Sequence, residues 1–406
     1  MKKILSVLIC AAMAASMLVG CGSSGDKGES KNTSVEETNS KAEEKEGGTE
    51  PETEAATEGA KTTYSELDLN PSEALSVSSE GVKAAAPSEF TLTDEEIQKL
   101  KDGKYTAAFC YHTQSDTCNQ TKLASATALL KEWGIEVVSV TDANFDAATQ
   151  TSQIESTMAL QPDVLFVMPY DPDATASALD TNIKGTDTKL VFMENVATGY
   201  VAGTDYAGCA SSDSYGNGKA CADILAKQLD YKGNVAMMVY DLVYYVTNER
   251  DRGFRETIEN DYPDIKIVTE EGFTDPSNTG TVADAILAKY PDLNGIYASW
   301  DIPAEGAISS AASLGRDDLI ITCCDLGDTA AKSIAEEGMI RGSGAPRSPQ
   351  QGESEALIAA YALLGKEMPS TFVTPPALPV VKANVLDAYK ASYGIDAPDW
   401  LFKLAK

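Results

Sequence analysis

The chain has very little histidine and few aromatic residues: of 406 residues, one is histidine, three are tryptophan and 7% are aromatic. A serine-histidine-aspartate triad would depend on His112, and no G-x-S-x-G turn supplies its serine. The sequence also lacks a glycine-rich phosphate loop and a zinc-type pairing of cysteines. Carboxylates are plentiful, but the sequence does not fix the separation that a glycosidase needs. We therefore expect no enzyme activity, no metal site and no cofactor.

Basic residues are also scarce. There are 32 lysines and arginines against 62 aspartates and glutamates, a formal net charge of −30. Such a charge argues against nucleic acid as a partner, because a phosphate backbone attracts basic surfaces. The alternative is that the negative charge serves only solubility, and this accounts for most of the charge.

The eight cysteines match no known disulfide framework. A bond between adjacent cysteines on one strand would be strained, because their side chains point to opposite faces. Free buried thiols are the preferred interpretation, and pairing of Cys110 with Cys118 or of Cys209 with Cys221 stays open. Six cysteines follow the N-terminal region: Cys110, Cys118, Cys209, Cys221, Cys323 and Cys324.

The N-terminus has the pattern of an export signal. Lys2 and Lys3 precede an apolar stretch, residues 4–18, that is too short for a comfortable membrane span. The run 18–21, Leu-Val-Gly-Cys, resembles a bacterial lipobox, in which the cysteine is acylated and becomes the new N-terminus. We expect residues 1–20 to be a signal peptide and Cys21 to anchor the chain to the membrane outside the cytoplasm. The alternative is an ordinary secretory signal with an incidental cysteine.

Residues 21–100 are rich in Glu, Ser, Thr, Gly and Ala and poor in large apolar side chains. Such a composition cannot bury enough apolar surface to offset the entropy of ordering. We expect a disordered acidic linker between the anchor and the folded region. Near its end, Thr93 and Glu96 have the spacing of a capping box and predict the start of a helix.

From Lys104 onward, short apolar runs alternate with helical patterns. Strands this apolar, each followed by a helix, predict parallel sheets covered on both faces. The alternation restarts after about residue 210, and about 300 residues is large for one core, so we expect an α/β fold with two lobes. The predicted strands are 105–111, 135–140, 164–168, 190–193, 235–240, 265–269, 295–298 and 320–324.

Polar and aromatic residues follow several of these strands. In open parallel sheets, ligands bind beyond the carboxyl ends of the strands, so two facing sheets would form a cleft. The candidate ligand-binding residues are Tyr111, His112 and Asp116 in the first loop, Glu194 and Asn195, Asn248 and Arg250, Trp300 and Asp301, and Asp325.

Taken in order, several stretches resemble the periplasmic binding proteins of the ribose and galactose type, which capture substrates for ABC importers. The resemblance implies two Rossmann-like lobes with parallel sheets, joined by a three-crossing hinge. Lobe 1 would be 104–208 plus 346–375, and lobe 2 would be 209–345 plus 376–406. The matching stretches are KEWGIEVV (131–138), QPDVLFVMP (161–169), NERDRGF (248–254), YPDLNGIYASWD (290–301) and IITCCD (320–325).

The resemblance implies a sugar held by polar groups and stacked aromatic rings, but this chain departs from the family pattern. Glu194 and Asn195 replace a common Asp-Arg pair, and Asn248 replaces a ligand-binding arginine. Trp300 replaces a common asparagine, whereas Asp325 matches the cleft aspartate. Glu194 and Asp325 as an acidic pair suggest an amino sugar or another cationic group. A structural role is the alternative to ligand contact at three positions. His112 could make only internal hydrogen bonds, Trp300 could belong to the core, and Arg250 could hold its helix through a salt bridge.

The resemblance therefore implies a monomeric solute-binding protein that captures a small solute, most directly a monosaccharide or sugar derivative, and docks on an ABC permease. Two alternatives keep the fold. The ligand could be a nucleoside, with Trp300 and Tyr111 stacking its base, or the chain could present its ligand to a membrane sensor or chemoreceptor. A transcription regulator of the same fold would need a DNA-binding segment before residue 104, where the sequence has a signal and a linker instead.

Overall fold

The computed structural model describes residues 64–242 and 244–406. The predicted signal peptide (1–20), the predicted lipidation site at Cys21 and the linker from 22 to 63 lie outside the described residues. Among the helices of the described part, none is long and apolar enough to cross a membrane.

The first sheet consists of β1 (Thr106–Tyr111), β2 (Glu136–Asp142), β3 (Val164–Val167), β4 (Lys189–Met193), β5 (Gly208–Ala210) and β11 (Phe372–Val373). Their spatial order is β11-β5-β4-β3-β1-β2, with every neighbouring pair parallel. All four residues of β3 are buried, because helices cover both faces of the sheet. The helices of this lobe are α1 (Asp94–Gly103), α2 (Thr117–Glu132), α3 (Ala147–Met158), α4 (Pro172–Asn182) and α10 (Ser348–Leu364).

The second sheet consists of β6 (Gly233–Tyr240), β7 (Ile265–Phe273), β8 (Gly295–Ala298), β9 (Ile320–Cys324), β10 (Ile340–Ala345) and β12 (Leu378–Val380). Its order is β12-β10-β9-β8-β6-β7, parallel except for β12, which runs antiparallel to β10. Its helices are α5 (Ser214–Gln228), α6 (Tyr245–Asp261), α7 (Thr279–Lys289), α8 (Asp301–Ser313), α9 (Asp328–Glu336), α11 (Val385–Tyr393) and α12 (Asp399–Leu404).

The predicted α/β class with two parallel-sheet lobes is confirmed. The chain passes between the sheets three times, through residues 211–213, 346–347 and 374–377. The first sheet includes Cys209 and Ala210, two residues that the sequence analysis had assigned to lobe 2.

Several helices begin on an aspartate in the short loop that follows a strand. Asp116, Asp146, Asp171 and Asp213 accept backbone N–H groups at the starts of α2, α3, α4 and α5. Such caps satisfy donors that have no partner inside the helix. They also fix the polar loops at the carboxyl ends of the strands, where the candidate site lies.

Residues 64–100 are packed against the lobes, which contradicts the predicted disorder of this part of the linker. Ala85 pairs with Val373 at the edge of the first sheet, and Phe90 is buried against Tyr361. The segment contacts the lobes through backbone hydrogen bonds and a few isolated apolar side chains. Because this needs few apolar residues, its composition resembles that of a disordered linker. The predicted capping box of Thr93 and Glu96 is confirmed at the start of α1.

The six cysteines within the described residues are free thiols, and five of them are buried. Neither of the two pairings that the sequence left open is formed.

Candidate functional site

The two lobes meet at the carboxyl ends of their sheets. His112 follows β1 and Tyr244 precedes α6, and these two side chains touch across the cleft. The Tyr244 hydroxyl lies 3.5 Å from Nδ1 of His112, and the ring centroids are 6.2 Å apart. Burial and the charge of Lys122 lower the pKa of His112 to about 4. The ring is therefore neutral near pH 7, with one nitrogen donating and the other accepting a hydrogen bond.

In lobe 2, an ion pair between Arg250 and Asp325 lies at the base of the cleft. Arg250 donates from Nη1 and Nη2 to the two carboxylate oxygens of Asp325 at 3.0 and 2.7 Å. The arginine side chain is 8% exposed and the aspartate 23%, so Asp325 keeps part of its surface toward the cleft. Burial opposes the charge of Arg250, but Asp325 overcomes it and raises the arginine pKa. The structure thus brings Arg250 to the site as the group that orients Asp325.

Asp301 supports a neighbouring helix. Its Oδ2 accepts the backbone N–H of Gly327, the residue before α9, at 2.7 Å. A side chain at Gly327 would collide with this carboxylate, since an added Cβ would lie 2.4 Å from Oδ2. Burial, followed by the charge of Asp325, raises the pKa of Asp301 to about 7.

Aromatic rings line both sides of the cleft. In lobe 2, Trp300 lies 5.3 Å from Tyr240 and 5.2 Å from Phe273 between ring centroids, and it is partly exposed. In lobe 1, the His112 ring lies 5.3 Å from Phe145 and 6.4 Å from Tyr170.

The sequence analysis missed Phe145, Tyr170 and Tyr240 as candidates. Each of them ends or follows a strand, in β2, β3 and β6 respectively, so the rule that selected the other loops would have found them.

In lobe 1, a second ion pair lies at the base of the cleft, and the sequence analysis did not predict it. Lys122 on α2 donates to Glu194 at 2.6 Å, with side chains 6% and 10% exposed. Glu194 also accepts from Ser211 at 2.9 Å and from Gln351 at 2.8 Å. Burial opposes the Glu194 charge, but Lys122 and the hydrogen bond from Ser211 lower the pKa of Glu194 to about 2. A lysine on the buried stripe of α2, with Ala126 and Leu130 at helical spacing, was the available signal.

Two other candidates from the first loop have structural contacts. Tyr111 is fully buried in the core of lobe 1, where it stacks on Phe109 at 6.0 Å, so the structure does not bring its ring into the cleft. Asp116 caps α2 and accepts the side-chain amide of Asn119 at 2.7 Å. Asp116 is exposed and lies at the end of the first loop, where α2 begins.

Asn195 and Asn248 lie together on a cavity of about 330 Å³ between the lobes. Asn195 is 3% exposed, and its Oδ1 has no hydrogen-bond partner within residues 64–242 and 244–406. Asn248 projects from the first turn of α6 and is exposed. These two neutral amides occupy the positions at which the family resemblance implied arginines.

The fold and this cleft define a two-lobed solute-binding protein. A family model described as "Periplasmic binding protein domain" matches residues 93–367 of the chain. The chain therefore belongs to the periplasmic binding protein family. Membership in a family of binding proteins confirms the expectation that the chain is not an enzyme.

The chain is similar to the ribose import binding protein RbsB of Bacillus subtilis, with 26% identity over 47% of this chain and 60% of that protein. It is also similar to a D-apiose import binding protein of Actinobacillus succinogenes, with 23% identity over 53% of this chain and 68% of the relative. The matches thus span 60% and 68% of these relatives' lengths, less than two thirds in the case of the ribose import binding protein. Among solved structures, a solute-binding protein from Agrobacterium vitis with bound α-D-tagatopyranose superposes with a TM-score of 0.64 at 20% identity. That superposition covers 73% of this chain and all of the other, and it shows the shared fold.

Proposed function

We propose that this chain is a lipid-anchored, extracytoplasmic solute-binding protein that captures a neutral sugar-like solute between its lobes and delivers it to an ABC permease. The observation that carries the proposal is the contact between His112 of lobe 1 and Tyr244 of lobe 2. Contacts to both lobes favour the closed state, so a ligand that bridges them stabilises the form that docks.

The chemistry of the cleft supports a sugar. Partly exposed rings such as Trp300 and Tyr170 suit the C–H faces of a pyranose. The neutral His112 and the amides of Asn195 and Asn248 can both donate to and accept from hydroxyl groups. Asp325, held by Arg250, offers the charged acceptor that strengthens a hydrogen bond to a hydroxyl.

The charge pattern does not support the amino-sugar hypothesis. That hypothesis depended on Glu194 and Asp325 as uncompensated carboxylates. Each of them is paired with its own cation, Lys122 and Arg250 respectively. A ligand ammonium would therefore compete with an existing partner at either site.

A nucleoside is the second candidate, because the same aromatic rings could stack a base. We propose a monomer that acts in transport, in keeping with the import proteins to which the chain is similar.

The test is a thermal-shift screen of the purified full chain against neutral monosaccharides, amino sugars, polyols and nucleosides, followed by calorimetric titration. A ligand at 100 times its Kd stabilises the native state by about 2.7 kcal/mol. We expect a shift with a neutral sugar that is lost in Trp300→Ala and weakened in Asp325→Asn. A shift with nucleosides alone would move the assignment to that class, and no saturable binding in any class would refute the proposal.

A further inference from the structure

A segment outside the matched family domain crosses both lobes. We name residues 64–92 the strap. The Tyr64 ring stacks on Tyr231 of lobe 2 with centroids 4.0 Å apart. At its other end, the backbone of Thr91 binds the hydroxyl of Tyr361 in lobe 1 at 2.8 Å. The family match begins at residue 93, so the strap lies outside the matched domain.

The strap is fastened at the hinge. The backbone N–H groups of Leu75 and Ser76 donate to the carboxylate of Asp213 at 3.0 and 2.8 Å. Asp213 also caps α5 and accepts from Ala377 in the third crossing at 3.2 Å. In the second crossing, Arg347 donates to Asn70 of the strap at 3.1 Å. These contacts fix the position of the strap beside the cleft.

Within the strap, residues 77–83 form a small hairpin. Val77 and Lys83 pair antiparallel, and Gly81 takes a left-handed conformation at the turn. Ser78 Oγ accepts the backbone N–H groups of Glu80 and Val82, both at 3.1 Å. The Tyr245 hydroxyl on α6 donates to the carbonyl of Val77, which connects the hairpin to lobe 2.

The hairpin is one wall of the cavity of about 330 Å³ on which Asn195 and Asn248 lie. Its size falls within the range of small-molecule pockets. Asn195 lines the same cavity, and its buried Oδ1 has no hydrogen-bond partner within the described residues. A buried acceptor without a partner costs stability unless a ligand or water satisfies it.

The lining presents neutral hydrogen-bonding groups and apolar surface. Its two carboxylates are already paired, Glu194 with Lys122 and Glu249 with Arg252 at 2.6 Å. Amides and a serine hydroxyl match ligand hydroxyls, which also both donate and accept. Phe372 and Tyr245 supply surface for C–H groups.

We propose that this cavity is a subsite for a second, neutral, hydroxyl-bearing unit of the ligand, with the strap residues Ser78 and Ser79 as its wall. The inference rests on the proposed function, since Asn195 and Asn248 also belong to the candidate cleft. The ligand class is then a disaccharide or another glycoside, and a free monosaccharide fills only part of the space.

The test compares calorimetric affinities of the full chain for matched pairs: glucose with cellobiose and maltose, galactose with melibiose, and xylose with xylobiose. We expect at least one disaccharide to bind tenfold or more tightly than its monosaccharide. Ser79→Phe places a bulky side chain in the strap wall of the cavity and should remove that advantage, lowering the disaccharide affinity more than the monosaccharide affinity. Ser72→Phe, an exposed strap position outside the cavity lining, is the matched control and should change neither affinity.

The outcomes separate the two proposals. Monosaccharides that bind at least as tightly as every disaccharide would overturn the subsite and leave the proposed function standing. Equal losses for both ligand sizes in Ser79→Phe would also overturn the subsite. Binding of none of these saccharides would overturn the subsite, and the wider thermal-shift screen then decides the proposed function separately. If Ser79→Phe does not fold, Ser79→Leu replaces it, and the wild-type ranking of the matched pairs decides independently.

Discussion

Lys122 and Glu194 form an ion pair inside lobe 1, and replacing Lys122 with methionine should destabilise the protein strongly. The Nζ–Oε1 distance is 2.6 Å, and the side chains are only 6% and 10% exposed. The variant would leave Glu194 buried without its cation. Breaking a buried pair in this way costs about 3–5 kcal/mol. In a folded region of this length, that loss lowers the Tm by about 4–7 °C.

Two further variants isolate the charge effect. Lys122→Met/Glu194→Gln removes both charges and should recover most of the loss, since no uncompensated charge then remains. Lys99 pairs with Glu95 at 3.3 Å on the surface, with side chains 62% and 83% exposed. Lys99→Met is therefore the matched control and should leave the Tm within about 1 °C. Scanning calorimetry at pH 7 measures all three.

The pH dependence gives a second measurement on the same variant. The pKa of Glu194 is lowered from 4.5 to about 2 despite its burial, chiefly by Lys122. A lowered carboxyl pKa contributes stability that is complete above pH 4.5 and is lost as the pH falls through about 2. The stability gap between wild type and Lys122→Met should therefore narrow over that window. Equal Tm values for Lys122→Met and Lys99→Met, or a gap independent of pH, would refute the ion-pair account.

Three other positions give direct tests. Burial raises the pKa of Glu355 to about 8, so this group costs stability as the pH rises from 4.5 through 8, and Glu355→Gln should flatten that decline in a series of thermal melts. Asp213→Ala removes the acceptor that joins the strap to the hinge and should lower the free energy of unfolding by about 2–4 kcal/mol. It should also accelerate limited proteolysis within residues 70–80, and an unchanged cleavage rate would contradict the attachment of the strap at Asp213. Cys21→Ser should release the chain from the membrane fraction and abolish incorporation of a labelled fatty acid, and retention of the label would disprove lipidation at Cys21.

The sequence predicted those parts of the fold that depend on local patterns. Apolar runs such as Val164–Val167 show a strand buried on both faces, and the capping box at Thr93 shows a helix start. The strap could not be predicted in this way. It binds through backbone groups, as at Ala85, and through single side chains, as at Phe90, so its partners leave no periodic signal.

The sequence predicted which strand ends the candidate residues follow, but not how their charges pair. The rule that ligand sites follow parallel strands located His112, Glu194, Trp300 and Asp325. It gave no information on which charges neutralise each other, because Lys122 lies 72 residues from Glu194 and Arg250 lies 75 residues from Asp325. Such pairs depend on which helices pack against which strand ends.

These pairings determine what kind of solute the cleft can favour. Since Lys122 neutralises Glu194 and Arg250 neutralises Asp325, the hydrogen-bonding groups left for a ligand are mostly neutral: His112, Asn195 and Asn248. At Glu194, a ligand ammonium would have to displace Lys122 from a buried carboxylate, and the lysine would lose its partner at a high cost. At the partly exposed Asp325, it would have to compete with Arg250. An amino sugar therefore gains no advantage over the neutral sugar of the same shape. Tighter calorimetric binding of glucosamine than of glucose would contradict this charge balance.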